Sequence, residues 1–165
     1  MIKYLTIGLF FYLGSVVACN RGGSNSIPGT LPAAQLLNTS GEVIDLSSFK
    51  GKKVFVNLWA TWCPPCVAEM PSIQELYNQT RNANTEFVMI SLDKNFGIAQ
   101  QWAMQKNYNL PLYFASGELP AELQVAGIPT TFIFDEEGKL LFSHVGSEDY
   151  SRPKFVKMLT GETGK

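Results

Sequence analysis

The sequence predicts an α/β protein in which a central mixed β-sheet is flanked by helices. Apolar, β-branched-rich runs alternate with segments of helical periodicity in the first half of the chain, and such alternation is typical of parallel strand pairs. The second half ends in two strand-like runs joined by a turn and followed by an amphipathic helix, which adds antiparallel strands. A hydrophobic fraction of 45% and a charged fraction of 16% over 165 residues suit one globular domain.

The first half of the chain contains five predicted elements. Residues 35–37 and 42–45 have alternating patterns on either side of a Thr-Ser-Gly turn, which predicts a small β-hairpin. Residues 53–60 form an apolar, β-branched-rich run of the kind found in strands that are buried on both faces. Apolar side chains then recur at helical spacing from residue 64 to about residue 80, and residues 86–92 form a second buried strand.

The second half contains an inserted segment and a closing β-β-α unit. A turn-rich Asp-Glu-Glu-Gly sequence joins the two closing strands, as is typical of a hairpin, and an amphipathic helix ends the fold. The predicted helices of this half are 97–107, 118–125 and 152–160, and the predicted strands are 111–115, 131–134 and 139–144.

The N-terminus has the features of a targeting segment. A positive start is followed by an apolar run over residues 4–18, which is short for a membrane-spanning helix of about 20 residues and fits a signal peptide better. The run ends in Val-Val-Ala-Cys, which resembles a bacterial lipobox, so we expect a signal peptide over 1–18 and a lipid on Cys19. The alternatives are an ordinary secretory signal, with Cys19 incidental, or an uncut membrane anchor.

Three segments therefore make up the predicted domain organisation. Behind the signal peptide, residues 19–30 are rich in Gly, Ser and Asn and predict a flexible tether. Residues 31–165 form the predicted folded domain. Each interpretation of the N-terminus places this domain outside the cytoplasm, on the periplasmic side of a bacterial membrane, where thiols are oxidised.

Charge and cysteine content exclude several classes of protein. The formal net charge is −1 and the chain has no block of like charges, so no nucleic-acid partner is expected. Three cysteines are too few for a disulfide scaffold, and two of them are separated by only two residues. That spacing indicates redox or metal chemistry.

The sequence Cys63-Pro64-Pro65-Cys66 lies between a predicted buried strand and a predicted helix. A cysteine at a helix N-terminus meets the positive end of the helix dipole, which lowers its pKa and favours the thiolate that attacks disulfides. Because neither proline has an N–H group, the amide of Cys66 becomes the nearest donor to the Cys63 sulfur. We therefore expect Cys63 to be the nucleophile and Cys66, one turn later, to resolve a mixed disulfide.

The surroundings of this motif resemble a known family. Residues 59–66, WATWCPPC, followed by Glu69, look like the TlpA/ResA branch of the thioredoxin superfamily, and the match extends to the sequence GIPTTF at 127–132. It covers roughly 31–159, nearly the whole predicted domain. The resemblance implies a thioredoxin fold with an N-terminal β-hairpin and an inserted helix–strand segment.

The resemblance also implies an activity. Relatives of this branch commonly keep cysteines reduced on extracytoplasmic proteins, including apocytochromes c that await haem, with electrons from a thiol carrier in the membrane. They need no cofactor besides a redox-active disulfide, here Cys63–Cys66, and no metal ion. We expect a monomeric protein thiol–disulfide oxidoreductase.

Several substrate-binding residues follow from the same resemblance. Ile128–Pro129 is expected to be a cis peptide opposite the cysteines, presenting the backbone of Ile128 to an extended substrate strand. Trp62, which precedes the nucleophile, is expected to cover the sulfurs or contact substrate. The predicted substrate-binding set is Trp62, Pro64, Pro65, Ile128, Pro129 and Thr130.

One departure from thioredoxin points to a different proton acceptor. Thioredoxins carry a buried Asp six residues ahead of the first cysteine, where this chain has Asn57, which cannot accept a proton. Relatives in the TlpA/ResA branch instead use a Glu six residues after that cysteine, and Glu69 stands there. We therefore predict that Glu69 handles the proton of the resolving thiol. The alternative is a solvated glutamate that is favoured near a helix N-terminus by the dipole.

Other functions stay open at the level of sequence. Dithiol couples of this superfamily span about −270 to −120 mV, so a net oxidant is an alternative, although no long inserted helical domain is present. The two thiols could also hold Cu(I), as in a copper-handling protein. A peroxidase on the same fold is a third alternative, against which the close spacing of the cysteines argues.

Overall fold

The structure, a computed structural model, describes residues 28–161. A mixed β-sheet of seven strands lies at the centre of this region. Its strands are β1 (Gln35–Asn38), β2 (Val43–Asp45), β3 (Lys53–Trp59), β4 (Thr85–Ser91), β5 (Leu112–Ala115), β6 (Thr130–Phe134) and β7 (Leu140–Val145). The helices are α1 (Pro64–Thr80), α2 (Phe96–Gln105) and α3 (Pro153–Thr160), and short 3-10 helices span Leu46–Phe49 and Ala121–Leu123.

The strand pairing confirms the predicted mixed sheet. In the order β2-β1-β5-β4-β3-β6-β7, β3 pairs in parallel with β4, and β4 pairs in parallel with β5. All other neighbouring pairs are antiparallel. The parallel pair β3–β4 requires a crossover, which α1 provides. The carboxyl ends of β3 and β4 consequently lie side by side in the middle of the sheet.

One face of the sheet is covered by all three helices, and we call it the helical face. Phe55 and Trp59 of β3 are fully buried there, because alternate residues of a strand point to the same side. They pack in one cluster with Met70 of α1, Ala99 of α2 and Phe155 of α3.

The opposite face of the sheet, which we call the apolar face, is covered without a long helix. Val54, Val56 and Leu58 of β3 are fully buried in a second cluster. Leu46 and Leu123, one from each 3-10 helix, close this cluster from outside. The burial of β3 on both faces confirms the prediction from its apolar run.

Most predicted elements are present with bounds shifted by one or two residues, one differs in kind, and one further element was not predicted. The helix predicted over 118–125 is only a 3-10 helix, Ala121–Leu123. Pro120 explains the late start, because a residue that precedes proline is disfavoured in the helical conformation. The 3-10 helix Leu46–Phe49 was not predicted; Asp45 caps it by accepting a hydrogen bond from the Ser47 N–H.

The predictions for the N-terminus fall largely outside this region. The signal peptide over 1–18, the lipid on Cys19 and all but the last residues of the tether over 19–30 lie outside the described residues. Among residues 28–161, no helix has both the length and the apolar character needed to cross a membrane.

Candidate active site

The two cysteines lie where β3 ends and α1 begins, at the carboxyl edge of the sheet. Cys63 is the N-cap of α1 and Cys66 lies in its first turn, with the two prolines at the first two helical positions. The pair forms a disulfide with a Cα–Cα distance of 5.3 Å. The N–H of Cys66 donates a hydrogen bond to the Cys63 Sγ at 3.3 Å. The prediction that the prolines leave this amide to the Cys63 sulfur is confirmed.

The surroundings of the disulfide differ between its two sulfurs. Cys66 is completely buried, whereas Cys63 keeps 4% of its surface exposed and is bordered by the exposed Pro64 and Pro65. Trp62 is 65% exposed, which is unusual for so large an apolar side chain. A partner molecule can therefore reach Trp62 from outside, and of the two cysteines only Cys63 keeps any exposed surface for it.

The loop that precedes β6 lies against the first sulfur. Its Ile128–Pro129 peptide is cis, which confirms the expectation from the family resemblance. The carbonyl oxygen of Ile128 lies 3.7 Å from the Cys63 Sγ. The N–H of Gly146 donates to the Pro129 carbonyl oxygen at 2.8 Å. The cis peptide is thus held on one side by the residue that follows β7, and it faces the disulfide on the other.

Thr130 has a structural partner within the same loop. Its side chain is buried, and its hydroxyl donates a hydrogen bond to the Gly127 carbonyl oxygen at 2.6 Å. The substrate-binding role expected for Thr130 stays a prediction, because its hydroxyl is bound within the loop and its backbone is paired with Leu58 of β3 and Val145 of β7.

Glu69 is buried beneath the active site and is not a solvated helix residue, so the alternative interpretation is wrong. Only 2% of its surface is exposed, because it follows Cys66 by three residues on the inward side of α1. Its Oε1 accepts from Asn57 Nδ2 at 2.9 Å, and its Oε2 accepts from the N–H of Glu148 at 3.2 Å. Burial raises the pKa of Glu69 to about 7, against the two hydrogen bonds, which lower it.

Asn57 links this carboxyl group to the sheet. It faces Thr131 across the antiparallel β3–β6 pair, and its Nδ2 also donates to the Thr131 Oγ1 at 2.9 Å. Asn57 occupies the helical face between Phe55 and Trp59 and is completely buried. The polar group that the sequence placed ahead of the cysteines therefore contacts the predicted proton acceptor directly.

Asp93 is a site residue that sequence reasoning missed. Its buried carboxylate accepts hydrogen bonds from the Thr61 hydroxyl at 2.6 Å and from the Ser91 hydroxyl at 2.9 Å. It also accepts from the Thr61 N–H at 3.2 Å. Thr61 lies two residues ahead of Cys63, so Asp93 fixes the loop that leads into the active site. The available signal was an Asp just after β4, whose carboxyl end adjoins that of β3.

Comparison of the amino-acid sequence with known proteins identifies a family and several relatives. Residues 28–159 match the Redoxin family. The chain is 30% identical over 131 residues to the thiol-disulfide oxidoreductase ResA of Bacillus thuringiensis subsp. konkukian, covering 78% of this chain and 76% of the relative. It is 32% identical over 140 residues to the thiol:disulfide interchange protein DsbE of Vibrio cholerae, covering 79% of this chain and 74% of that protein.

A solved structure shows the same architecture. The crystal structure of StoA from Bacillus subtilis superimposes with a TM-score of 0.65 at 25% identity, covering 79% of this chain and 99% of that one. With the disulfide at the junction of β3 and α1 and a cis proline facing it, this chain belongs to the Redoxin family and is a TlpA/ResA-like thiol–disulfide oxidoreductase of the thioredoxin superfamily.

Proposed function

We propose that this protein reduces disulfides of target proteins outside the cytoplasm by dithiol exchange through Cys63 and Cys66. The observation that carries the proposal is the placement of the Cys63 sulfur. It lies at the N-cap of α1, receives the Cys66 N–H and faces the cis-proline loop, and its residue keeps a small exposed surface. A thiolate in this position is stabilised by the helix dipole and by the amide donor.

The first step joins the protein to its target. In the reduced protein, the Cys63 thiolate attacks one sulfur of the target disulfide, the target S–S bond breaks, and the other target sulfur leaves as a thiolate. A mixed disulfide then connects Cys63 to the target. Cys63 serves as the attacking sulfur because it has the exposed surface that Cys66 lacks.

The second step releases the target and needs a proton acceptor. The buried Cys66 thiol gives its proton to the Glu69 carboxylate, and the resulting thiolate attacks the Cys63 Sγ. The Cys63–Cys66 bond forms, and the second target sulfur leaves. The target has gained two electrons, and a membrane thiol donor restores the protein by the reverse exchange. With a pKa raised to about 7, Glu69 can take up and release this proton near neutral pH.

The surface around Cys63 suits an extended polypeptide. Trp62, Pro64 and Pro65 form an exposed apolar border on one side of the sulfur, and Ile128 and Pro129 form the other. A substrate strand can bind the backbone of Ile128 by strand addition while its apolar side chains contact Trp62. This mode selects for an extended disulfide-bearing segment more than for a particular sequence.

The physiological setting belongs to the same proposal. A lipid on Cys19 would hold the domain on the periplasmic side of a bacterial membrane, close to a membrane thiol donor. The targets are extracytoplasmic proteins with oxidised cysteines, apocytochrome c among them. No cofactor besides the Cys63–Cys66 disulfide is required, because the dithiol supplies both electrons that the target gains and the membrane thiol donor replaces them.

The reduction potential of the Cys63–Cys66 pair tests the direction of the reaction. The purified full-length protein is equilibrated in graded thiol–disulfide buffers, and the reduced fraction is counted by thiol alkylation and mass spectrometry. A value near or below that of thioredoxin, about −270 mV, supports a reductase. A value close to that of the strong periplasmic oxidants, about −120 mV, reverses the direction and makes disulfide formation the task.

A further inference from the structure

Asn57 carries a buried polar atom whose hydrogen bond is missing. Its Nδ2 donates to both Glu69 Oε1 and Thr131 Oγ1, each at 2.9 Å. Its Oδ1 is buried and has no partner among residues 28–161. A buried acceptor without a partner is destabilising, so this arrangement needs an explanation.

The two partners of Asn57 can each change their role. An ionised carboxylate only accepts hydrogen bonds, whereas a protonated one also carries an O–H donor. The Thr131 hydroxyl can donate or accept. The amide of Asn57 presents a donor and an acceptor at nearly equal positions, and its terminal torsion is roughly two-fold. A half-turn of the amide therefore exchanges the two donated bonds for two accepted ones.

We propose that Asn57 is a positioning residue that holds Glu69 in both of its protonation states, through Nδ2 when the carboxyl is ionised and through Oδ1 when it is protonated. In the second arrangement, Oδ1 accepts from the Glu69 O–H and from the Thr131 O–H. The inference rests on the proposed role of Glu69 as proton acceptor for Cys66. It explains why one amide atom of Asn57 has no partner: in each orientation one of Nδ2 and Oδ1 binds the Glu69 carboxyl, and the other is turned away from it.

The consequence is that Glu69 changes its charge without losing its position. If the neighbour of Glu69 were a fixed N–H donor, the protonated carboxyl would place its own O–H donor against it. If the neighbour were a fixed acceptor, the ionised carboxylate would place acceptor against acceptor. An Asp at position 57 would add a second carboxylate beside the first, and an apolar residue would give no bond at all. Asn is the neutral side chain that serves both forms.

The other ionisable groups near Glu69 have to be considered as alternative sources of a response to pH. From the β7–α3 loop, Glu148 donates its N–H to Glu69, and its carboxylate is paired with Arg152 and Lys154. Tyr150, from the same loop, has a fully buried hydroxyl, and burial raises its pKa to a value far above neutral. From α1, Cys66 does not titrate while it is in the disulfide. Near pH 7 the oxidised protein thus offers Glu69 as the titrating group of this network.

Nuclear magnetic resonance on the oxidised full-length protein in detergent tests the inference. The carboxyl carbon of Glu69 and the side-chain amide of Asn57 are followed between pH 5 and 9. The expected result is that both titrate with one midpoint, and that the Asn57 amide no longer responds in Glu69→Gln. The side-chain amide of Asn84, which donates to the Gly51 carbonyl oxygen at 2.7 Å, is the control and should stay constant.

The outcomes separate this inference from the function it rests on. If Glu69 titrates while the Asn57 amide does not change, the inference is overturned and the proton-acceptor role stands. If the pH dependence of exchange is the same in Glu69→Gln and in the native protein, the proton-acceptor role itself fails.

A substitution at position 57 provides a second measurement. Asn57→Leu keeps the number and branching of the side-chain heavy atoms and removes the bonds to both forms of Glu69. Because the bond to the ionised carboxylate is charge-assisted and the stronger of the two, the midpoint of Glu69 should rise by about one pH unit, a tenfold change in proton affinity. Asn84→Leu is the matched control and should leave the midpoint in place. An unchanged midpoint in folded Asn57→Leu would show that the amide does not hold Glu69, and the inference would be wrong.

Discussion

The two faces of β3 use neighbouring residues of one strand for different purposes. On the apolar face, Val54, Val56 and Leu58 are buried against other hydrophobic side chains. On the helical face, Asn57 interrupts the apolar series and binds the buried Glu69. Polar groups at such depth reduce stability unless they are fully hydrogen bonded. The apolar face therefore stabilises the fold, whereas the helical face gives up some stability to place an ionisable group beneath the disulfide.

The largest expected effect follows from removing the sulfurs at the edge of the helical face. Cys63→Ser should abolish the reduction of a protein disulfide, because no thiolate remains that a substrate can reach. Cys66→Ser should instead accumulate the mixed disulfide, since the resolving sulfur is absent. Mass spectrometry after mixing with an oxidised protein distinguishes the two variants. Accumulation of a mixed disulfide on Cys66 in Cys63→Ser would reverse the assigned roles.

The apolar face is tested by a cavity. Leu58→Ala should lower the free energy of unfolding by about 2–5 kcal/mol, because Leu58 is completely buried and its neighbours cannot fully close the space. The pH profile of disulfide exchange by the folded variant should match that of the native protein. Urea unfolding and exchange rates at several pH values provide both measurements. A changed pH profile would show that the two faces of β3 are coupled.

The helical face is tested by the pH dependence of stability. The pKa of Glu69 is raised from 4.5 to about 7 in the folded state, so between these values the folded protein binds more protons than the unfolded chain. The native protein should therefore lose up to about 3 kcal/mol of stability as pH rises through this range, and no more above it. Glu69→Gln should lack this loss, and its stability relative to the native protein should grow from pH 5 to pH 8.

A control on the same helix separates charge from position. Glu75 lies on α1 with its side chain exposed, where its Oε1 accepts from Gln79. Glu75→Gln should leave the shape of the stability–pH curve unchanged in urea unfolding measured at matched salt. If Glu75→Gln and Glu69→Gln flatten the curve equally, burial is not the cause of the dependence.

Features of β3 and of the cysteine site that depend on local sequence were predictable, whereas contacts between distant segments were not. The buried β3 follows from a continuous apolar run, and the cysteine site follows from Cys63-Pro64-Pro65-Cys66 at a strand–helix junction, since both signals are local. Glu69 was found only through its spacing from Cys63, and its burial required the structure. The contacts of Asp93 with Thr61 and Ser91 depend on the register of β3 against β4, which no single segment encodes.

The smallest expected change in stability belongs to Trp62, which lies outside both faces. Trp62→Ala should change the free energy of unfolding by only about 0.5 kcal/mol or less, because 65% of the side chain is already exposed. If Trp62 contacts extended substrates, the variant should exchange more slowly with a protein disulfide and at the native rate with oxidised glutathione, which is too small to span the border of the site. Stopped-flow kinetics with both oxidants gives the two rates. Equal slowing with both oxidants would show that Trp62 affects the reactivity of the Cys63 sulfur and does not bind substrate. The apolar contacts to an extended substrate would then be expected at Pro64, Pro65 and Ile128 alone.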